Sequence, residues 1–319
     1  MNKASVLILI IGVLCLRDLP ANAQERIRIG ISAVSLGFLP TVLAEKRGFY
    51  AKYNLLAEHV LVPCAIAINA LLSEDLDYAV CTGPGTAGAI KGLPIKLIMT
   101  TQDKLGYLLL VKPSVQKLAD LRGKTIGIST FGSQLYLTSV TLFRKTGMEA
   151  GKDVNLLPAG DNNARIAAMD SGKIDAAFVS SPADIFGVKR GYKVLLWSRD
   201  HVPLTQNAIV VTDRKLKQSP DQVKRTIKAS IEALKFIRDH QEESVAIAAR
   251  WLKLDVPTTR AAFENYLPCY SPDGSLSDQA LHDLIQYELD RSTLKKDIPL
   301  SQVASRSLLQ QAQNELNIR

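Results

Sequence analysis

Short apolar runs alternate with segments of helical periodicity through the first two thirds of the chain. Residues 26–32 alternate polar and β-branched positions, which is typical of a strand. Residues 39–53 carry a helical pattern, with Pro40 in the first turn, where proline is tolerated. The predicted strands are 26–32, 58–62, 78–81, 95–99, 107–111, 124–129, 154–157, 176–179, 194–196 and 208–212. The predicted helices between them are 39–53, 65–72, 86–91, 133–145, 164–171 and 182–190. Such alternation predicts an α/β fold with a mostly parallel sheet covered on both faces.

The two halves of this region repeat one pattern, which predicts two similar lobes. Residues 72–80 and 170–178 each pass from a helix end through a turn and an aspartate into a buried strand. We expect lobe one to comprise 24–111 and 208–319, with a helical C-terminal extension, and lobe two to comprise 112–207. The connections, near 112–113 and 205–207, would act as hinges, and the cleft between the lobes is a preferred place for a ligand.

The N-terminus has the layout of a secretory signal peptide. Lys3 precedes an apolar run at 6–14, and an Ala-x-Ala exit ends at Ala23, where we expect cleavage. The run is shorter than the ~20 residues of a membrane-spanning helix. We therefore expect the mature protein to be exported.

Composition narrows the class of protein. The 319 residues include 47% hydrophobic residues and a 22% charged fraction, which exclude a disordered chain. Removing Lys3, Arg17 and Asp18 with the signal peptide leaves 37 basic and 30 acidic side chains, a net charge of +7. These charges form no block of one sign, so we expect no nucleic-acid partner.

Cysteine and histidine give no evidence of catalysis or metal binding. Cys64, Cys81 and Cys269 remain after cleavage, and an odd count is not a disulfide framework. Cys64 and Cys81 end two strands expected to be close in the sheet. Three readings stay open for them: buried apolar residues, which free cysteines most often are, a disulfide, or thiols facing the cleft. The four histidines lack metal-ligand spacing, no catalytic arrangement stands out, and we expect no cofactor.

The loops that leave the predicted strands are the candidate ligand site. Helix N-termini at such loops offer free N–H groups and a favourable dipole to a polar or anionic group. The candidate ligand-binding residues are Ser35, Leu36, Cys64, Thr82 and Gly83 in lobe one, and Thr130, Phe131, Gly132, Ser133, Asp161 and Ser181 in lobe two. Ser133 and Asp161 have an alternative role as helix caps, and Phe131 as a core residue. These loops carry no Arg or Lys, which leaves room for a neutral or zwitterionic solute.

Four stretches, taken in order, resemble the substrate-binding proteins of ABC importers. They are LAEKRGFY at 43–50, ALLSEDLD at 70–77, ADLRGKTIGI at 119–128 and AMDSGKIDAA at 168–177 followed by Ser181-Pro182. The chain is similar to the sulfonate, taurine and nitrate group of that family, which includes binders of thiamine-pyrimidine precursors.

That resemblance implies the type II periplasmic-binding-protein fold and a periplasmic location. It implies a monomer that captures a small solute by lobe closure and delivers it to an ABC permease with a cytoplasmic ATPase. The solute class would be a sulfonate, a nitrate-like anion, an organic acid or a pyrimidine-type compound. Two alternatives remain: an enzyme on the same fold, related to pyrimidine-precursor synthases, and a sensor subunit that presents ligand to a membrane receptor.

Overall fold

The chain forms two five-stranded mixed sheets. A computed structural model describes residues 24–290 and 297–318, so the expected signal peptide and its cleavage after Ala23 lie outside the described residues. The first sheet has the order β2-β1-β3-β10-β4, and the second has the order β7-β6-β8-β5-β9. The strands are β1 Glu25–Ile31, β2 Leu55–Leu61, β3 Tyr78–Val80, β4 Ile95–Gln102, β5 Tyr107–Val111, β6 Thr125–Ile128, β7 Asn155–Pro158, β8 Ala176–Ser180, β9 Lys193–Trp197 and β10 Asn207–Thr212.

Helices cover the faces of both sheets. They are α1 Leu39–Lys46, α2 Phe49–Lys52, α3 Cys64–Leu72, α4 Thr82–Ile90, α5 Gln134–Lys145, α6 Asn162–Asp170, α7 Ala183–Lys189, α8 Asp213–Gln218, α9 Pro220–Asp239, α10 Gln241–Leu252, α11 Val256–Tyr266, α12 Asp278–Leu289, α13 Leu300–Val303 and α14 Ser307–Glu315. The expected α/β fold with two lobes is confirmed.

In each sheet one strand runs antiparallel to its neighbours, and the others run in the opposite direction. In the first, β1 pairs parallel with β2 and β3, and β10 runs antiparallel between β3 and β4. In the second, β6 pairs parallel with β7 and β8, and β5 runs antiparallel between β8 and β9. The carboxyl ends of the parallel strands therefore lie at one edge of each sheet, where the loops into α3, α4, α5, α6 and α7 begin.

The long helix α9 closes the core of the first lobe. Five apolar side chains form one face of this helix and have no exposed surface: Val223, Ile227, Ile231, Leu234 and Ile237. The helix packs against α1, α2 and α14. Burying each of these side chains stabilises the fold by about 1.5–3 kcal/mol. Apolar residues three and four positions apart form such a face on a helix.

The strand at 107–111 lies in the second sheet, where the sequence analysis did not place it. We expected it to end lobe one, but β5 pairs residue by residue with β8, from Tyr107 opposite Ser180 to Val111 opposite Ala176. The sequence of an apolar strand has the same pattern in either sheet, so only its hydrogen-bonding partners show to which sheet it belongs. The chain thus first crosses between the sheets at 103–106, before the expected hinge at 112–113, and returns at 198–206.

Two local predictions were also wrong. The helix expected over 39–53 is interrupted at Gly48, whose φ of 74° is left-handed, and so forms α1 and α2. The helix expected over 86–91 begins earlier, at Thr82, with Pro84 inside the first turn of α4, a place where proline costs no hydrogen bond.

None of the helices within 24–290 and 297–318 is long and apolar enough to cross a membrane. The same residues contain no group of three or more histidine, cysteine, aspartate or glutamate side chains placed to hold a metal ion.

Candidate functional site

The edges where the parallel strands end face each other and are in contact. A Cβ atom built on Gly83 of α4 would lie 3.1 Å from Oε1 of Gln134 and 3.3 Å from Cδ1 of Leu137, both on α5. Arg144 of α5 also pairs with Asp290 after α12, with 2.9 Å between Nη1 and Oδ2. The two lobes are therefore closed on each other along α4 and α5.

On the side of lobe one, only part of the predicted set faces lobe two. Gly83 does, as its contacts with α5 show. Thr82 is buried, and its hydroxyl accepts a hydrogen bond of 2.7 Å from the amide of Ala208, which fastens α4 to β10. Ser35 and Leu36 are buried at the short 3-10 turn Leu36–Phe38, where the carbonyl of Leu36 accepts from the hydroxyl of Tyr270 at 2.8 Å.

Cys64 and Cys81 form a disulfide with a Cα–Cα distance of 5.6 Å. It joins the first residue of α3 to the residue before α4. Of the three readings left open by the sequence, the structure thus gives the disulfide, and the reading of two buried free thiols was wrong. Cys269 is the free cysteine of the described residues, and it is buried.

On the side of lobe two, the predicted polar residues cap helices. The hydroxyl of Ser133 accepts from the amide of Tyr136 at 3.2 Å and donates to the carbonyl of Thr130 at 2.7 Å. Asp161 accepts from the amide of Ala164 at 2.8 Å at the start of α6. Both capping roles are confirmed. Contact of these two residues with a ligand stays a proposal.

The aromatic and glycine members of the loop before α5 lie at the surface. Phe131 is 63% exposed and packs edge-on against Tyr136, with 5.4 Å between the ring centroids. It is therefore not a core residue. Gly132 has a φ of 76°, a left-handed value that glycine adopts without strain, and this turns the chain from β6 into α5.

Ser181 differs from the other predicted residues because it is buried and its hydroxyl makes no hydrogen bond of ordinary geometry, although it lies beside the carboxyl of Asp184. It follows β8, precedes Pro182 through a cis peptide bond, and has no exposed surface. Its hydroxyl oxygen has no hydrogen-bond partner among the described residues.

Four further polar side chains lie at the start or end of elements near this boundary, and the sequence analysis missed them. All four are buried, and each has at least one side-chain atom without a hydrogen-bond partner among the described residues. They are Gln102 at the end of β4, Gln134 at the start of α5, Arg165 in the first turn of α6, and Asp184 in the first turn of α7. Nothing in the sequence pattern separates them from ordinary helix and strand residues.

Arg165 corrects the expectation that this site lacks a cation. It lies four residues after the cap Asp161, in the first turn of α6, with 4% of its surface exposed. Its Nη2 donates to Oδ1 of Asn162 at 2.6 Å, and its Nη1 donates to the carbonyl of Gly160. Burial lowers the pKa of its guanidinium to about 10, because removal from water disfavours the charged form.

A hydrogen-bonded group of side chains lies where the chain crosses between the lobes. Asn207 donates from Nδ2 to Oε1 of Gln102 at 2.6 Å and to the carbonyl of Gly37 at 2.8 Å. Gln206 donates to the hydroxyl of Tyr266 at 3.2 Å. This network ties both crossing segments to lobe one and leaves Nε2 of Gln102 without an acceptor among the described residues.

Asp184 is a buried acid, and burial raises its pKa, against the opposing effects of the nearby Ser181 hydroxyl and the amide of Ile185. A carboxyl whose pKa is higher in the folded chain destabilises the fold once the pH exceeds the pKa of the unfolded state. We therefore expect Asp184→Asn to raise the free energy of unfolding at pH 8 by about 1–3 kcal/mol, the desolvation cost of a buried polar group. The gain should vanish near pH 3, and unfolding curves at both pH values measure it.

Asp120 offers a control of opposite sign. The amides of Gln116 and Lys117 donate to its carboxylate, which lowers the pKa of this exposed group. Asp120→Asn should therefore lose stability at pH 8, and the loss should shrink as the pH falls towards 3 and the carboxylate is protonated. An Asp184→Asn protein that is less stable than the parent at pH 8 would show that the ionised carboxylate stabilises the fold.

Two surface cavities lie away from this boundary. One, of about 450 Å³, is lined by β2, α1 and Trp251, and the other, of about 510 Å³, by β4 and the chain from Leu300 to Gln310. Neither contains a residue of the candidate site. We place the site at the interlobe boundary because buried, unpartnered polar groups from both lobes lie there, whereas the lining of the first cavity contributes Nε2 of His59.

Comparison with known proteins identifies the family of the chain. The sequence profile of the NMT1/THI5-like family matches residues 36–244. A putative binding protein of Brucella abortus is 26% identical over 245 residues, which cover 72% of each chain.

Solved structures extend the likeness to the fold. The periplasmic aliphatic sulphonate binding protein SsuA of Escherichia coli superposes with a TM-score of 0.74 at 17% identity, over 88% of this chain and 92% of that one. The periplasmic nitrate-binding protein NrtA from Synechocystis PCC 6803 superposes with a TM-score of 0.75 at 15% identity, over 93% and 90% of the two chains. The fold is therefore that of the periplasmic binding proteins. Since the profile covers more than half of its length, this protein belongs to the NMT1/THI5-like family.

Proposed function

We propose that this protein is a periplasmic receptor that captures a small polar or anionic organic solute between its two lobes. The solute class is a sulfonate, a nitrate-like anion, an organic acid or a pyrimidine-type compound. The protein acts as a monomer and delivers the solute to an ABC permease driven by a cytoplasmic ATPase. It binds its solute without chemical conversion.

The unpartnered polar groups at the interlobe boundary carry this proposal. Gln134 is buried, and both its amide nitrogen and its amide oxygen lack partners among the described residues. Gln102, Arg165, Ser181 and Asp184 each contribute a further unpartnered atom. A buried polar group without a partner costs about 1–3 kcal/mol. A solute that offers donors and acceptors between the lobes removes that cost.

Closure couples binding to a change in shape. The lobes are joined by two crossing segments, 103–106 and 198–206, so they can open as rigid bodies about them. The solute shifts the equilibrium towards the closed form because it contacts both edges only there.

The test is a thermal-shift screen of the exported protein against sulfonates, nitrate, organic acids and pyrimidines, followed by calorimetry on each hit. A solute at about 100 times its Kd stabilises the folded chain by about 2.7 kcal/mol. X-ray scattering should show a smaller radius of gyration with the solute than without it.

Variants of Gly83 test whether closure is required. Gly83→Leu places a bulky side chain against Gln134 and Leu137 and should abolish the solute-induced shift, whereas Gly83→Ala should reduce it only slightly. The solute-free melting temperatures of both variants serve as folding controls. A Gly83→Leu protein that binds as tightly as the parent would contradict closure, and turnover of any compound without a shift would contradict a receptor.

A further inference from the structure

Arg165 is a buried cation that the fold leaves without an anionic partner. We propose that Arg165 is the specificity-determining residue of the site and selects a solute with one terminal oxyanion, a carboxylate or a sulfonate. This inference rests on the proposed receptor function and narrows it to a class of solute.

The contacts of the guanidinium are all with neutral oxygens. Nη1 and Nη2 donate to the carbonyl of Gly160 and the amide oxygen of Asn162, and Nε has no acceptor among the described residues. No described carboxylate lies within ion-pair distance of Arg165. Asp161 acts on it from further away, and that carboxylate is exposed and caps α6. A buried charge without a counter-charge is costly, so the fold retains a cation that an incoming anion would neutralise.

The guanidinium is held in place at the edge of lobe two. The side chain of Asn162 accepts from Arg165, accepts from the amide of Ser180 at 3.2 Å, and donates to the hydroxyl of Ser180 at 3.1 Å. Asn162 thus joins the cation to the carboxyl end of β8. The stem of Arg165 lies over Gly127 of β6, where a built Cβ would be 3.6 Å from Cδ of the arginine. A guanidinium fixed on both sides is preorganised to donate to a planar carboxylate or to a sulfonate.

The neighbouring groups limit the solute to a single negative charge. The other unpartnered polar groups near this boundary include the neutral side chains of Gln102, Gln134, Ser181 and Ser198, together with the carboxyls of Asp103 and Asp184. None of them supplies a second positive charge. The rest of the solute therefore faces neutral donors and acceptors, which suits an uncharged polar or heterocyclic body.

Matched pairs of acids and amides isolate the charge from the shape of the solute. We would measure the affinities of the exported protein for benzoate and benzamide, nicotinate and nicotinamide, propionate and propionamide, and benzenesulfonate and benzenesulfonamide. The parent protein should bind the acid of a pair about 10- to 100-fold more tightly than the amide, the range for a hydrogen bond to a charged group.

Variants then assign the preference to this side chain. Arg165→Met should weaken binding of the acid to about the level of the amide, and Arg165→Lys should keep part of the preference because it keeps the charge. Arg122→Met is the matched control. Arg122 belongs to the same lobe, is exposed, pairs with Asp153, and lies before β6, at the opposite end of that strand from the site.

The outcomes separate this inference from the receptor function. Acids and amides that bind equally well, or an Arg165→Met protein with an unchanged acid-to-amide ratio, would overturn the role of Arg165 and leave the receptor function intact. A lower melting temperature of Arg165→Met with an unchanged ratio would assign the residue a structural role alone. A complete absence of binding, both by these pairs and in the wider solute screen, would overturn the receptor function and this inference with it.

Discussion

Removal of the disulfide between Cys64 and Cys81 is expected to lower the free energy of unfolding by about 3 kcal/mol. The bond closes a loop with a sequence separation of 17 residues, and a cross-link over a loop of this size stabilises a protein by about that amount through its effect on the unfolded chain. Chemical denaturation of Cys64→Ala/Cys81→Ala, with and without dithiothreitol, measures the loss. The reductant should destabilise the parent protein and leave the double variant unchanged.

Cys269→Ala is the control for this experiment. Cys269 is buried and free, so its variant should keep the full sensitivity to the reductant. Thiol titration of the denatured, unreduced chain from Gln24 should find one reactive group. Three reactive thiols, together with unfolding that does not respond to the reductant, would contradict the disulfide.

Gly106→Ala is expected to destabilise the fold by about 3 kcal/mol, at the upper end of the usual cost of overpacking. A Cβ at this position would overlap Cε2, Cζ and the hydroxyl oxygen of Tyr266, whose side chain is completely buried. A shift of the ring would also break the hydrogen bond that its hydroxyl accepts from Gln206. Urea denaturation of the variant and the parent measures the difference.

A smaller residue at position 266 should relieve the overlap. The loss in Gly106→Ala/Tyr266→Leu should be less than the sum of the two single losses. Gly88→Ala is the control, since its Cβ would meet only the flexible ends of Leu93 and Ile95 at 3.0 Å and the exchange gains about 1 kcal/mol of helix propensity. Full additivity at positions 106 and 266 would show that Tyr266 is not the cause.

Much of the fold could be predicted from local patterns. The apolar stripe of α9 and the alternation of strands and helices follow from hydrophobic periodicity, which acts between residues close in sequence. Strand pairing, in contrast, joins residues that are far apart in the sequence. Residues 107–111 form an apolar strand in any context, and only the neighbouring β8 and β9 assign it to the second sheet.

In the candidate site, too, local features could be predicted from the sequence and long-range ones could not. The caps Ser133 and Asp161 were predictable because a cap is a contact within one turn of chain. Arg165 was missed because its significance depends on its surroundings in space, where no described carboxylate lies within ion-pair distance of it. The disulfide between Cys64 and Cys81 stayed one of three readings, since its geometry depends on two elements that meet only in the folded lobe.

By itself, the sequence determined that this chain is a pair of α/β lobes with polar loops at the ends of their strands. Periodicity and loop chemistry are local, so they can be read along the chain. Only the tertiary structure decided which of those polar groups lack partners, and that the lobes meet along Gly83 and Gln134. Burial and hydrogen-bond satisfaction depend on every atom within a few ångströms, and most of those atoms come from distant parts of the chain.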